Sequence, residues 1–350
     1  MKKRISIHDI AKDLKVSATT ISFVLNGIAK EKRISPDLES KILAYIKKIG
    51  YKPNIVAQSL RTGKSKIIAM LVESIDDSFF SSIAKFVEIA AYKLGYKVFF
   101  ASTENETEKT KQLIQLFRDR QVDGFIVVPP PAIEKEIMAL LAENCPVILF
   151  DRNLPKISTT NVLIDNFDGS YHATKHFFEN GFKKIGFVTL ESNQSQMKDR
   201  LKGYQKAIQE AGSVSKILKL PYNLPQTEIS ERVKGFLQKN KQLDAVLLAT
   251  NYLALGGIDA IKKLGIKVPE ELAVIGFDDD PVFQLLHPTV TAVAQPVQQI
   301  SEEVIRLLMK RLSVEGKAVP KIETVVLKTK LMIRQSSINF TSDKKLKRVG

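Results

Sequence analysis

Ser6-Ile-His-Asp-Ile-Ala-Lys-Asp-Leu-Lys-Val-Ser17-Ala-Thr-Thr-Ile-Ser-Phe-Val-Leu-Asn26 is the stretch that orders the rest of the chain. Ser6 can cap a helix, with Asp9 three residues on closing a capping box and meeting the positive end of the helix dipole. Ile7, Ile10, Ala11 and Leu14 then recur at helical spacing and make one apolar face. Lys15 and Val16 form a turn, and Ser17 caps a second helix whose apolar side is Ile21, Val24 and Leu25. The other side presents Ala18, Thr19, Ser22 and Phe23. Small polar residues at a helix start, backed by a packed face, suit a recognition helix entering a DNA major groove. An ordinary helical hairpin has the same spacing, so the pattern alone does not separate the two.

Charge separates them further. Residues 1–64 carry 14 Lys and Arg against 5 Asp and Glu, a net +9 of the chain's formal +15. The last ten residues add +3, and the 276 residues between also carry only +3. An excess gathered on one small unit is the footprint of phosphate contact. The basic end, Lys344-Lys345-Leu-Lys347-Arg348, reads as a solvated tail.

From residue 66 the pattern alternates strand and helix. Apolar runs rich in Val, Ile and Phe recur at 67–72, 98–101, 124–128, 147–150, 185–189, 245–249 and 272–277. Such continuous runs suit strands buried on both faces. Amphipathic helices are expected between them, at about 79–94, 107–121, 133–143, 168–180, 200–211, 227–239, 252–265 and 298–314. The fold class that follows is a small all-α helix-turn-helix head plus an α/β body of two doubly wound parallel-sheet lobes. Boundaries are expected at 1–50 for the head, 51–65 for a hinge helix and linker, 66–338 for the body and 339–350 for the tail. Lobe 1 takes 66–163 plus 293–323, and lobe 2 takes 164–291 plus 325–338. The start of the chain lacks the apolar run of a secretory leader and no stretch reaches membrane-spanning length, which predicts a cytoplasmic protein with no membrane partner. The single cysteine, Cys145, lies beside Pro146 in an apolar run and reads as a core thiol.

Enzyme signals are weak. Thr62-Gly-Lys-Ser65 resembles the end of a phosphate-binding loop, but Gln58 stands where glycine is needed, and the helix and strand come in the wrong order. His172 and His176 have the spacing of two zinc ligands, but Ala173 stands where a metalloprotease carries glutamate, so they read as surface histidines. Asp278-Asp279-Asp280 cannot share one face. Nothing assembles a nucleophile, base and oxyanion donor. No metal, cofactor or catalytic residue is expected.

A cleft can be placed instead. Ligands of doubly wound sheets sit beyond the carboxyl ends of the strands. Phe79, Phe80, Asp151, Arg152, Thr250, Asn251 and Asp278 all follow strands, and Arg200 is expected to open a helix. An arginine and an aspartate on facing sides can bind vicinal hydroxyls with charge-assisted bonds.

The whole pattern resembles the LacI/GalR family of bacterial transcription regulators. The matching residues are Ile7-x-Asp9-Ile10-Ala11, Val16-Ser17, Thr20-Ile21-Ser22-x-Val24-Leu25-Asn26, Ile49-Gly-Tyr51-x-Pro53-Asn54 and Ala57-Gln-Ser-Leu60-Arg-Thr-Gly-Lys-Ser65. The likeness runs on through the body to about residue 338, and implies a body of the periplasmic-binding-protein type 1 fold. It implies that Ser6, Ser17, Thr20, Ser22, Asn26 and Asn54 contact the DNA backbone and that Ala18, Thr19 and Phe23 read bases. Phe23 departs from the Arg or His often found there and has no donor for guanine. In register with Ala57, Leu60 is implied as a wedge that kinks the minor groove. Arg200-Leu-Lys-Gly-Tyr204 resembles the family's ligand-clamping motif, and Gly276-Phe-Asp278 its glycine–aromatic–aspartate turn. Asn251 departs from the aspartate of many members, and residues 191–198 lack the residues of purine-binding relatives. The implied protein is a homodimeric repressor on a pseudo-palindromic operator, controlled by a small ligand of sugar type. A secreted sugar-binding protein and an α/β enzyme are the rival readings.

Overall fold

The computed structural model describes residues 5–51, 63–313 and 321–339. The chain divides into two compact units, Met1–Ser65 and Lys66–Gly350.

The first unit is helical: α1 (Ile7–Asp13), α2 (Ala18–Leu25) and α3 (Pro36–Ile49). Ser6 and Asp9 form the reciprocal capping box, with Ser6 N donating to Asp9 Oδ2 at 2.8 Å and Asp9 N to Ser6 Oγ at 3.3 Å. Ser17 Oγ accepts from Thr20 N at 3.0 Å. Lys15 turns the chain between these helices with φ of 53°. Ile10, Ala11, Ile21, Val24, Ala29 and Ile42 close a small core. The third helix is absent from the sequence reading, although Ser35 caps it, Pro36 starts it and left-handed Gly50 ends it. Asn54, Ala57 and Leu60 lie outside the described residues.

The second unit holds two six-stranded sheets. The first contains β1 (Ile67–Val72), β2 (Lys97–Ser102), β3 (Gly124–Val127), β4 (Val147–Phe150) and β5 (Thr160–Ile164). The second contains β6 (Ile185–Leu190), β7 (Lys216–Leu220), β8 (Ala245–Leu248), β9 (Ala273–Phe277) and β10 (Thr291–Ala294). Two late strands, β11 (Thr324–Leu327) and β12 (Lys330–Met332), add one edge to each. The orders are β11-β5-β4-β3-β1-β2 and β12-β10-β9-β8-β6-β7. Every pairing is parallel except β10 with β12. Helices α4 (Ser78–Lys93), α5 (Thr107–Asp119) and α6 (Glu134–Ala142) belong to the first lobe. α7 (Asn166–Glu179), α8 (Ser195–Glu210), α9 (Gln226–Lys239) and α10 (Asn251–Leu264) belong to the second, and α11 (Val297–Leu312) returns to pack on α4. β1, β3, β4, β6, β8 and β9 are buried almost throughout, as their continuous apolar runs require.

The chain crosses between lobes near residues 165, 295 and 328. The expected boundaries are therefore off by a few residues. β10 extends the second sheet to Ala294, and β11, expected in the second lobe from 325, is an edge of the first sheet. The stretch 324–332 reads as one run, and only the tertiary pairing divides it at Lys328-Thr329. These crossings are tied together: Asp165 N donates to Leu327 O at 3.0 Å, and Thr329 N to Asp165 Oδ1 at 2.7 Å.

Two other expectations change. His172 is exposed, but His176 is buried, its Nε2 2.9 Å from Ser337 Oγ, because α7 turns that face onto the returning tail. Cys145 is half-buried rather than fully enclosed, and burial pushes its thiol up to about 11.

Gly203 on α8 packs directly against the α7 backbone. A Cβ there would meet Phe167 O at 2.2 Å and Tyr171 N at 2.9 Å, both backbone atoms that cannot swing aside. Gly203→Ala is expected to lower stability in urea denaturation by about 1–3 kcal/mol, the usual range for overpacking. An unchanged midpoint would mean that the two helices separate freely.

Candidate functional site

The cleft is built from the carboxyl ends of both sheets. Arg200, expected at a helix start, lies in the second turn of α8, which begins at Ser195. It is 2% exposed. Its Nε donates to Asn166 Oδ1 at 2.8 Å and its Nη1 to Ala249 O at 2.6 Å. Nη1 also lies 3.5 Å from Asp278 Oδ2, and the guanidinium sits 3.6 Å from the Phe277 ring centroid.

Asp151 and Asp278 are counterparts. Each follows a strand-ending phenylalanine and each has φ of 68°. Each also donates its backbone N–H to the next strand, Asp151 to Val162 O and Asp278 to Val293 O. A non-glycine residue held there costs about 1–3 kcal/mol, which marks both turns as sites where position outweighs comfort. Arg152 sits between Asp151 Oδ2, at 2.8 Å, and Glu73 Oε2, at 2.5 Å. Burial opposes its charge, but Glu73 and Asp151 outweigh that and raise its pKa.

All eight residues expected in the cleft line one pocket: Phe79, Phe80, Asp151, Arg152, Arg200, Thr250, Asn251 and Asp278. Both phenylalanines belong to the core as well, at 8% and 6% exposure, with edge-to-face rings. Sequence reasoning missed Glu73, Asp77, Gln196, Tyr222 and Tyr252. Glu73 and Asp77 also follow β1, so the strand-end argument reached past them to the aromatics. The three consecutive aspartates have separate tasks. Asp278 faces Arg200, Asp279 takes Arg334 at 2.7 and 2.8 Å, and Asp280 Oδ2 accepts from Ser78 Oγ at 2.6 Å. Among the described residues no group of His, Cys, Asp and Glu is arranged to hold a metal.

The lobes are latched across the cleft mouth. Besides Ser78 to Asp280, Gln194 Nε2 donates to Asn105 Oδ1 at 2.9 Å, and Asn153 N to Ser195 Oγ at 3.2 Å. Asn251 Nδ2 lies 3.3 Å from both Asp77 Oδ1 and Ser78 Oγ. This gives the departure at 251 a physical sense, since an aspartate would offer no proton to Asp77. Asp77 is pushed up to about 6, first by burial and then by the charge on Asp278, while the Phe79 amide and Asn251 pull the other way. Asp278 is raised chiefly by burial, against Arg200 and Gln295. The raised Asp77 carboxyl favours the folded state below its unfolded pKa of about 4, and that contribution is lost as pH rises through about 6.

In the first unit, Ser17, Thr19 and Asn26 are exposed and Ala18, Thr20 and Phe23 half-buried. Lys32 Nζ stands 5.5 Å from the Phe23 ring centroid. Ser22 departs from the expected open face. It is buried, and Asn26 Nδ2 donates to its carbonyl at 2.7 Å because the two lie one turn apart. Ser6 is exposed, with its hydroxyl engaged by Asp9.

A capped helix-turn-helix unit and, in the same chain, a two-lobed body with a polar interlobe cleft define a ligand-binding DNA-binding regulator. Two family descriptions match: bacterial regulatory proteins of the lacI family over residues 6–54, and the periplasmic binding protein-like domain over 174–337. The transcriptional regulator RegA of Clostridium saccharobutylicum is 31% identical over 336 residues, covering 95% of this chain and 99% of that protein. The transcriptional repressor PurR of Haemophilus influenzae strain PittEE is 29% identical over 333 residues, covering 95% and 98%. The chain belongs to the LacI family of bacterial regulatory proteins. Its relatives are transcriptional regulators rather than enzymes, and it is a transcriptional regulator too. In fold it is similar to the Lac repressor dimer bound to operator and the anti-inducer ONPF, with TM-score 0.82, 22% identity and coverage of 96% and 100%. It is also similar to the CelR–cellobiose complex, with TM-score 0.69, 24% identity and coverage of 95% and 100%. Among the described residues no helix is long and apolar enough to cross a membrane.

Asn251→Asp is expected to lower the melting temperature by about 2–4 °C at pH 8 and by clearly less near pH 5, where Asp77 holds its proton. Thermal denaturation followed by circular dichroism at both pH values checks this. An equal loss at both would assign the role of Asn251 to packing.

Proposed function

We propose that this regulator is a cytoplasmic repressor that binds a pseudo-palindromic operator as a homodimer and changes its operator affinity when a sugar or sugar derivative occupies the interlobe cleft. The observation that carries the reading is the convergence of Phe79, Phe80, Asp151, Arg152, Arg200, Thr250, Asn251 and Asp278 around one cavity. The cavity lies between lobes joined by three adjacent crossings. Buried carboxylates and amides are the groups that hold sugar hydroxyls, and aromatic rings beside them suit the apolar face of a sugar. The CelR–cellobiose complex is a sugar-bound relative in fold and supports this ligand class, whereas residues 191–198 lack the purine-site pattern.

On the DNA side, Thr19, Ala18 and Phe23 read bases, and Ser6, Ser17, Thr20, Asn26 and Asn54 hold the phosphate backbone. Phe23 favours a thymine methyl over guanine. Residues 51–65 act as a hinge, with Ala57 and Leu60 entering the minor groove. Two-fold pairing of heads matches a two-fold operator. Residues 66–338 bind the ligand and pair the protomers.

The test is operator binding by fluorescence anisotropy, using DNA recovered by footprinting upstream of the protein's own gene, with and without a panel of sugars. An active sugar is expected to change affinity roughly 5–150-fold, the range of a 1–3 kcal/mol coupling. Arg200→Ala is expected to abolish that response in a folded protein that still binds the operator without sugar. A full response in the Arg200→Ala protein would overturn the cleft assignment.

A further inference from the structure

The cleft holds more negative than positive charge. Four carboxylates, Glu73, Asp77, Asp151 and Asp278, share its wall with two guanidinium groups, Arg152 and Arg200. Both guanidinium groups are committed. Arg152 donates to Asp151, Glu73 and Asn105. Arg200 donates to Asn166 and Ala249 O and pairs with Asp278. Asp77 accepts from neutral donors, the Phe79 amide at 2.8 Å and Asn251 Nδ2 at 3.3 Å, while Asp278 faces it from the other lobe. Gln196, 2% exposed and lining the same cavity, has an Oε1 with no hydrogen-bond partner. The wall is therefore rich in acceptors that need protons, and its cations are already paired.

Resting on the sugar reading above, we propose that the cleft takes a sugar with no negative charge, neutral or amino-substituted, and excludes sugar phosphates and sugar acids. The ligand's O–H or N–H groups supply the donors that Asp77, Asp278 and Gln196 Oε1 accept. An anionic substituent would be desolvated beside carboxylates, with both arginines already held by other acceptors. In this structure Asp77 already feels the charge of Asp278, with Glu73 and Asp151 adding charge of the same sign and Arg152 and Arg200 opposing it. A donor-rich ligand removes that repulsion, and a phosphate adds to it.

The full-length protein and its Asp77→Asn variant, which keeps an oxygen to cap α4, are compared in two ways. Without ligand, D77N is expected to melt about 3 °C or more above wild type at pH 8, with a clearly smaller gain near pH 5. Calorimetry then uses matched probes: glucose, glucosamine, glucose 6-phosphate and gluconate, and the same series built on xylose and cellobiose. In any series that binds, the neutral or amino member is expected to bind at least about tenfold more tightly than the phosphate or the acid. The D77N variant is expected to narrow that gap. Tighter binding of a phosphate or an acid than of its neutral parent overturns the proposal. So does a D77N protein that loses stability equally at both pH values. If no sugar of any charge binds, the sugar reading falls, and the pH-dependent gain in D77N alone decides whether the cleft carries surplus negative charge.

Discussion

The body is organised around one buried cation. Arg200 reaches from α8 to Asn166 at the start of α7, to the carbonyl that ends the β8 segment, and to the turn after β9. Burying a guanidinium is costly unless every side is satisfied. Here the Phe277 ring covers one face, and carbonyl, amide and carboxylate oxygens take the edge. The requirement runs both ways. Asp278 stands in an unfavourable backbone conformation at the point where its carboxylate meets Arg200, and Gln295 Nε2 holds its other oxygen at 2.5 Å. Removing the cation would leave a buried carboxylate with a single neutral donor.

That network also reaches the interlobe crossings. Asn166 directly follows Asp165, whose carboxylate accepts from Thr329 N and pairs with Lys328 Nζ at 3.3 Å. Gln295, the partner of Asp278, sits at another crossing. Two of the three interlobe crossings are thus one or two residues from groups that touch Arg200 or Asp278, and the third is tied to the first by hydrogen bonds. In the proposed function, a ligand that alters how Arg200 and Asp278 share their contacts would act on the residues that join the lobes.

The central strands were legible in the sequence because they are buried on both faces and read as unbroken Val, Ile and Phe runs. Those that escaped notice are short or lie at edges. β7, β11 and β12 keep one side toward solvent, and β5 and β10 open with threonine. The eight cleft residues were legible because strand ends and a family motif both pointed to them. Glu73, Asp77 and Gln196 were not. Their significance arises only when two lobes meet and each group's partners can be counted. Ser22 differs from the open face that its small polar side chain suggests: it is buried, and Asn26 one turn on is bonded to it. His176 was misjudged because its partner, Ser337, lies 161 residues away.

The central claim is that Arg200 couples the cleft to the interlobe crossings, and hydrogen exchange there tests it most directly. In Arg200→Met, which keeps much of the side chain's bulk, the amides of Asp165 and Thr329 should exchange at least about tenfold faster than in wild type, while amides in the middle of α8 stay protected. Wild-type protection of both amides in a folded Arg200→Met protein would contradict the coupling and leave Arg200 as a local feature of the cleft wall.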